Sequence, residues 1–468
     1  MLNSHVYLSL KDSDTIAAIA TPPGEGGISV IRISGRDAFA VADKAFVGKS
    51  TLSTSPSHTA HFGRIVDAQG GYVDEVVAVT FKGPNSYTCE DVVEVSCHGG
   101  YIVTQKVLEM LLTAGARAAE PGEFTKRAFL NGRLDLSQAE AVGDLIHSKS
   151  EAAYRSSLRQ LSGELSKEIK GVKDELLNLA SLLELELDFS EEDVAFANRK
   201  SLEERLIEAL RVTDRLLSSY SVGRVYKEGV KVTIAGKPNV GKSSLLNALL
   251  RENRAIVSAI PGTTRDTISE SMEIGGIVFR LTDTAGLRET TDEIEREGVN
   301  RAQKEAEQGD VLLLVLDLSV EYYNGIDPLY EKLEQICTKS GISVIRVWNK
   351  LDIHSAGAPR VYESGSAYYV SALSGEGIEL LRKGLLETAL SSDVGETSVV
   401  VTSARHRGAL ARSRKSLQYA LETLRSGKSR EFVALDLRAG LNALGEITGE
   451  ITSEDILNNI FAKFCIGK

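Results

Sequence analysis

The sequence predicts a multidomain protein: an N-terminal α+β domain, a helical domain, and an α/β P-loop nucleotide-binding domain inserted into the helical one. Three observations carry this. A β-rich run, Val230–Ala235, leads straight into a glycine-rich loop and a helix-like stretch. Residues 1–118 alternate short β-rich segments with turns. Helical apolar spacing fills 119–222, stops, and returns within 388–468, so that 223–387 reads as the insertion. A separate C-terminal bundle is the alternative. The length of 468 residues accommodates three domains of roughly 100–200 residues each.

In the N-terminal domain, 15–20, 28–33, 75–81 and 91–96 read as strands, and 101–114 as a helix with Val103, Val107, Met110 and Leu111 on one face. Thr21-Pro-Pro-Gly-Glu-Gly-Gly27 and His98-Gly99-Gly100 are tight turns at strand ends, or places where a ligand approaches the backbone. In the helical domain, Ser137-Gln-Ala-Glu140 has the form of a capping box. Leu165, Ile169, Val172, Leu176, Leu179 and Leu183 form one apolar seam, and 202–217 predicts a further helix. Helical texture ends at the serine-rich 218–223 and resumes near Ser403. The densest basic cluster runs from Arg405 and Arg407 to Arg412, Arg414 and Lys415, a solvated helix face or a contact for an RNA backbone.

The tail predicts a helix capped by Thr452-Ser453, with Glu454 and Asp455 in its first turn and Ile456, Leu457, Ile460, Phe461 and Phe464 on its apolar side. It ends Cys465-Ile-Gly467-Lys468. A cysteine on a short end can act as a nucleophile in a shared site, or can pack as a small apolar residue. The order of the last two residues suits prenylation poorly.

The inserted domain is the most explicit. Gly236-Lys-Pro-Asn239-Val240-Gly241-Lys242-Ser243, followed by Ser244, is a P-loop between a strand and a helix. Its glycines turn backbone N–H groups toward phosphates, Lys242 meets the β/γ-phosphates, and the Ser243 hydroxyl ligates Mg²⁺. A strand over 277–282 ends in Asp283-Thr284-Ala285-Gly286, suited to the Mg²⁺ water shell and the γ-phosphate. Asn349-Lys350-Leu-Asp352 places a carboxylate for guanine N1–H and the 2-amino group, and Ser371-Ala372 suits O6, so the nucleotide is GTP. Leu287 stands where Ras-like GTPases place a water-orienting glutamine, leaving the acidic run Glu289, Asp292, Glu293, Glu295 and Glu297 as substitutes. Asn239 offers an amide oxygen to a monovalent cation, or is ordinary P-loop variation.

The net charge of −11 gives no general attraction to nucleic acid, so an RNA partner has to meet a local basic patch. Cys89, Cys97, Cys337 and Cys465 form no CxxC pair, which disfavours a disulfide framework or zinc site. The N-terminus lacks signal-peptide features, and no apolar run reaches roughly 18 residues. The expectation is a cytoplasmic protein with no membrane attachment.

Thr21-Pro-Pro-Gly24, Arg32-Ile-Ser-Gly35, Gly83-Pro-Asn-Ser86, His98-Gly-Gly100, Pro121-Gly-Glu-Phe124, Arg127-Ala-Phe-Leu-Asn131, the inserted GTPase domain and the terminal Cys-Ile-Gly-Lys together resemble the bacterial tRNA-modification GTPase family MnmE/TrmE over the whole chain. The resemblance implies a reduced folate (5-formyl- or methylene-tetrahydrofolate) held by Arg32, Glu94, Arg133 and Lys468 in a dimerising N-terminal domain. It implies potassium held by Asn239 and by Ser258, Ile260 and Thr263, Mg²⁺ held by Ser243 and Thr264, and a homodimer whose GTPase domains meet during hydrolysis. Lys242, Arg288, Glu295 and Cys465 are then the catalytic candidates. The implied reaction, with the flavoprotein partner MnmG, adds an aminomethyl-type group to C5 of the wobble uridine of tRNA. The alternative is a regulatory switch of the ribosome-assembly type, whose flanking domains only bind partners.

Overall fold

A computed structural model describes residues 14–188, 199–251, 269–283, 309–319, 326–353, 363–364, 367–390, 399–427 and 429–468. Its contacts divide it into two compact units, one of Met1–Ile146, Gln160–Leu202 and Tyr419–Lys468, the other of His147–Arg159 and Glu203–Gln418.

The first unit contains a seven-stranded sheet of β1 (Ile16–Ile19), β2 (Ile28–Ser34), β3 (Phe46–Gly48), β4 (Thr59–Val66), β5 (Tyr72–Phe81), β6 (Val92–His98) and β7 (Arg117–Ala118). Their order is β3-β4-β5-β6-β2-β1-β7. Every pairing is antiparallel except that of β1 with β7. β5 shows the period-two logic plainly, with Asp74, Val76, Ala78 and Thr80 turned inward. Ile31, Ile33, Val93 and Val95 pack against Val107 and Leu111 of the helix Tyr101–Thr113 and against Phe39 and Ala42 of the helix Ala38–Ala45. Each such side chain contributes roughly 1.5–3 kcal/mol by leaving water.

A charged knot ties β1 to the helix Glu123–Leu130. The Arg127 side chain, only 5% exposed, reaches Asp14 at 2.8 Å, Glu123 at 3.1 Å and Glu90 at 3.2 Å. Arg117 donates to Asp14 and Glu123 from the outside, at 2.6 Å each. Burial opposes ionisation of Glu123 and Asp14, but the arginine hydrogen bonds outweigh it and hold both carboxyls below their usual range. Removing Arg127 leaves Glu90 without an arginine and Asp14 and Glu123 with Arg117 alone, so Arg127→Met should cost about 3 kcal/mol, read as a lowered urea midpoint. Because both folded pKa values lie below the unfolded ones, the acids' contribution is full above about pH 5 and fades as pH falls further. The stability gap between wild type and variant should therefore narrow in acid.

The helical part of this unit follows the predicted seam: Leu165, Ile169, Val172, Leu176, Leu179 and Leu183 are all buried along the helix Glu164–Asp188. The capping box is displaced. Ser137 lies inside the helix Leu136–Ile146, and the reciprocal pair is Asp135 with Gln138: Gln138 N–H donates to Asp135 Oδ1 at 2.9 Å and Asp135 N–H to Gln138 Oε1 at 3.0 Å. An Asp cap two residues earlier satisfies the same orphan amides and leaves Ser137 for the core. At the C-terminus Ser453 does cap the helix Glu454–Phe461, accepting from Ile456 N–H.

In the second unit the serine-rich 218–223 does not end the helices. The helix Arg199–Ser218 is followed by another, Tyr220–Glu228. Tertiary contacts override the local preference: Ser219 Oγ accepts from Val401 N–H, Val222 and Val225 are buried, and a Cβ on Gly223 would lie 2.2 Å from Val401 O. Gly229, with φ 75°, then turns the chain into the second sheet.

That sheet comprises β8 (Val230–Ala235), β9 (Ser269–Ile274), β10 (Ile277–Asp283), β11 (Val311–Asp317), β12 (Ser343–Asn349), β13 (Glu363–Ser364) and β14 (Ala367–Tyr369), ordered β13-β14-β12-β11-β8-β10-β9. Strands β14, β12, β11, β8 and β10 are parallel. Every residue of β11 is buried. Val311, Leu313 and Val315 face Leu245 and Leu249 of the helix Lys242–Leu250 and Leu381 and Leu385 of the helix Ile378–Ala389. Leu312, Leu314 and Leu316 face Leu333 and Cys337 of the helix Pro328–Lys339. Helices on both faces explain the unbroken apolar run. The C-terminal ends of β8, β11, β12 and β14 share one edge, where an open parallel sheet receives its ligand.

Candidate functional site

At that edge the P-loop is shaped by three residues with positive φ: Gly236 (153°), Asn239 (63°) and Gly241 (94°). A Cβ at Gly236 would lie 2.2 Å from Val315 O, and one at Gly241 would lie 2.3 Å from Asn349 Nδ2, so both glycines are needed for close approach. Lys242 is buried, its Nζ donating to the loop's own carbonyls at Gly236 (2.8 Å) and Lys237 (2.7 Å). That places the ammonium inside the ring of the loop, with Ser243 and Ser244 exposed at the first turn of the helix.

Asn349 joins the base-side loops to the phosphate loop. Its Nδ2 donates to Val240 O at 2.8 Å and its Oδ1 accepts from Ala372 N–H at 3.0 Å. Ser371 Oγ donates to Asp352 Oδ1 at 2.6 Å, leaving the second carboxylate oxygen for a ligand. Lys350 (φ 72°) reaches back to Asp317 at 2.6 Å. Burial works against the Asp317 carboxylate, but the Lys350 and Ser319 hydrogen bonds hold its pKa below the usual range. Sequence reasoning missed Asp317 as the support of Lys350, although its place at a buried strand's end was visible. The backbone of Asp283 pairs with Ile234 at the same edge. Thr284, Ala285, Gly286, Arg288, Glu295 and the other acids of that run, together with Ser258, Ile260, Thr263 and Thr264, lie outside the described residues. Among the described residues no cluster of three or more His, Cys, Asp or Glu side chains could hold a metal.

A second constellation lies in the first unit. Arg32 of β2 donates to Glu94 of β6 at 2.8 Å, and the two are direct cross-strand partners. The Arg32 guanidinium stands 4.9 Å from the Tyr87 ring centre and 5.6 Å from that of Phe124. Arg133 stacks on Tyr87 at 4.8 Å and donates to its carbonyl oxygen at 2.8 Å. Arg32 Nη1 is buried with no hydrogen-bond partner, an unused donor in a flat aromatic and charged site. Tyr87 and Phe124 were not anticipated as site residues, though each adjoins or lies in a segment that carried the family resemblance.

The chain's end is laid beside this site. Gly467 (φ 94°) is buried against the end of β1, where a Cβ would meet Ile19 O at 2.1 Å. Gly122 N–H faces Cys465 O at 3.5 Å at the start of the helix that carries Phe124. Ala18 of β1 is the cross-strand partner of Arg32. Cys465 is exposed, whereas Leu457 and Phe461 are buried and hold the tail's helix in place.

Two family descriptions match the chain: "GTP-binding protein TrmE N-terminus" over residues 15–133 and "MnmE helical domain" over 136–465. A tRNA modification GTPase MnmE from Chlorobaculum tepidum is 47% identical over 464 residues, covering 97% of this chain and 97% of the relative. Its counterpart from Salinibacter ruber is 47% identical over 466 residues, covering 98% and 100%. Among solved structures, Aquifex aeolicus Era bound to GDP·AlF4⁻ is 27% identical over 41% of this chain and 67% of that one, with a TM-score of 0.27. Among the described residues no helix is long and apolar enough to cross a membrane.

Proposed function

The chain belongs to the family of the tRNA modification GTPase MnmE, and from that premise we propose that it hydrolyses GTP to drive modification of the wobble uridine C5 of tRNA, using a one-carbon unit from a reduced folate and working with the flavoprotein MnmG. The observation that carries the enzyme reading is the terminal Cys465-Ile-Gly-Lys468, whose Gly467 is seated against the end of β1, the strand paired with the one that carries Arg32.

The nucleotide site fits GTP through its own residues. The P-loop supplies inward N–H groups and Lys242, Asp352 accepts from the guanine edge, and Asn349 keeps the two loops in register. Ser243 and Thr264 would hold Mg²⁺, and Asn239 with Ser258, Ile260 and Thr263 would hold K⁺; when bound, the cations offset charge that develops on the phosphates. In the N-terminal site, Glu94 would accept from a pterin's amino group, the orphaned Arg32 Nη1 would donate to an acceptor atom of the pterin ring, and Tyr87 would stack on the ring. Arg133 and Lys468 provide positive charge for the folate's carboxylates. Potassium dependence through Asn239 couples hydrolysis to closure of two GTPase domains in a homodimer.

Asn239 has a left-handed backbone, so an alanine there strains the loop, whereas glycine keeps its shape and removes only the amide. Asn239→Gly should bind GTP normally and lose potassium stimulation in a phosphate-release assay; retained stimulation would remove Asn239 from the cation site. Glu295→Ala should bind nucleotide and turn over slowly, whereas unchanged turnover would pass the water-orienting role to another acid. The function as a whole is tested by nucleoside mass spectrometry of tRNA from a deletion strain. Loss of the wobble C5 modification, restored by the wild-type gene, is expected; intact modification in the deletion would overturn the proposal.

A further inference from the structure

The basic cluster of the sequence lies on the first part of the helix Ala404–Ser426. From Ala404 to Gln418 the helix carries Arg405, Arg407, Arg412, Arg414 and Lys415 and no acidic residue, in a chain whose net charge is −11. Arg407, Arg412, Arg414 and Lys415 are exposed. Arg407 and Arg414 are seven residues apart, so they share one face about 10 Å apart along the axis.

Neighbours orient Arg407 and Arg414 among these cations. The Arg407 guanidinium lies 5.0 Å from the Tyr220 ring centre, and Arg414 is held by Asp214, the acid that faces it from the helix Arg199–Ser218. The positions between the cations are small. Ala404 and Ala411 are exposed, and Gly408 has only Arg412 Nη1 near the place a Cβ would take, at 3.6 Å. From Ala404 to Ser416 the exposed residues besides the cations are Ala404 and Ala411, so no bulky side chain of this stretch keeps a polyanion's backbone away from the guanidinium groups.

We propose that this face of the helix is a contact surface for the tRNA phosphate backbone, positioning the substrate without reading its sequence. The proposal rests on the tRNA-modification reading above and adds where the RNA is held. Charge complementarity selects the occupant: a row of arginines on an otherwise acidic protein attracts a polyanion locally and repels it elsewhere.

The test uses the full-length protein and an unmodified tRNA transcript, with binding followed by fluorescence anisotropy across a salt series. Arg407→Gln/Arg414→Gln/Lys415→Gln should weaken binding at least tenfold near 0.1 M salt. It should also reduce the slope of log K against log[salt] by about 2, since each lost phosphate contact removes about 0.7–0.9. Ala411→Glu, which keeps every cation and inserts a carboxylate among them, should weaken binding in the same direction. Basal GTP turnover and the urea midpoint should match wild type in both variants. Wild-type affinity and slope in both would overturn the proposal, as would a wild-type chain that binds no tRNA. The deletion-strain assay decides the broader reading separately: modification lost in the deletion, with tRNA affinity unchanged in the variants, would sink only the surface.

Discussion

Asp352→Asn is expected to lower GTP affinity by about 10²–10⁴ and to raise affinity for xanthosine triphosphate in its place. The carboxylate is placed to accept two hydrogen bonds from guanine, and bonds to a charged acceptor contribute about 1.5–3 kcal/mol each. Losing one of them, and leaving a donor set against the guanine 2-amino group at a further cost of about 1–3 kcal/mol, sums to about 3–6 kcal/mol, which converts to that range at 1.4 kcal/mol per tenfold. Asparagine presents one acceptor and one donor. It still accepts from N1–H, but its amide N–H opposes the 2-amino group of guanine and matches the 2-oxo group of xanthine. The loop itself should survive, because Ser371 Oγ can donate to an amide oxygen as it does to Asp352 Oδ1 and can still accept from Ser374 N–H. Titration with both nucleotides reads the result. Unchanged GTP affinity would mean that the base does not sit on Asp352.

The fold of the GTPase domain was legible because its signals are local. A P-loop is one contiguous stretch, and β11 is apolar at every position because helices cover both faces of the sheet. The half-buried N-terminal sheet was harder. β4 and the helix Ala38–Ala45 were not found, since Thr59 to Val66 interleaves His61, Gly63 and Arg64 with its apolar residues and becomes a strand through pairing with β5. The same competition explains 218–223, where serines that favour turns in isolation are recruited into a helix by Val401. The misplaced capping box has a simpler cause: Asp135-Leu-Ser-Gln138 and Ser137-Gln-Ala-Glu140 are both valid patterns, and only the burial of Leu136 chooses between them.

The second site was legible only in part, for a physical reason. Arg32 and Glu94 lie 62 residues apart and meet through the antiparallel pairing of β2 with β6, which no local pattern announces. Tyr87 and Phe124 come from two further segments. Without the family resemblance, each is an ordinary residue on a loop or helix start.

Cys465→Ser should abolish the wobble C5 modification while leaving GTP turnover unchanged, because the substitution is nearly isosteric and lies in the other compact unit from the P-loop. A thiol provides a few per cent of thiolate near neutrality, and a serine hydroxyl provides essentially none without an adjacent base. Rescue of a deletion strain by this variant, read by nucleoside mass spectrometry, distinguishes a chemical role from packing: a merely packed cysteine would be replaced by serine with little loss. Gly467→Ala tests the placement. Its Cβ would fall 2.1 Å from Ile19 O, in a backbone conformation (φ 94°) that disfavours L-residues, so the tail should lift from the end of β1 with Cys465 chemically intact. Modification should then fall nearly as far as in Cys465→Ser. Full modification in Gly467→Ala would mean that the seat of the tail is irrelevant to the chemistry, and the thiol would have to act from some other position.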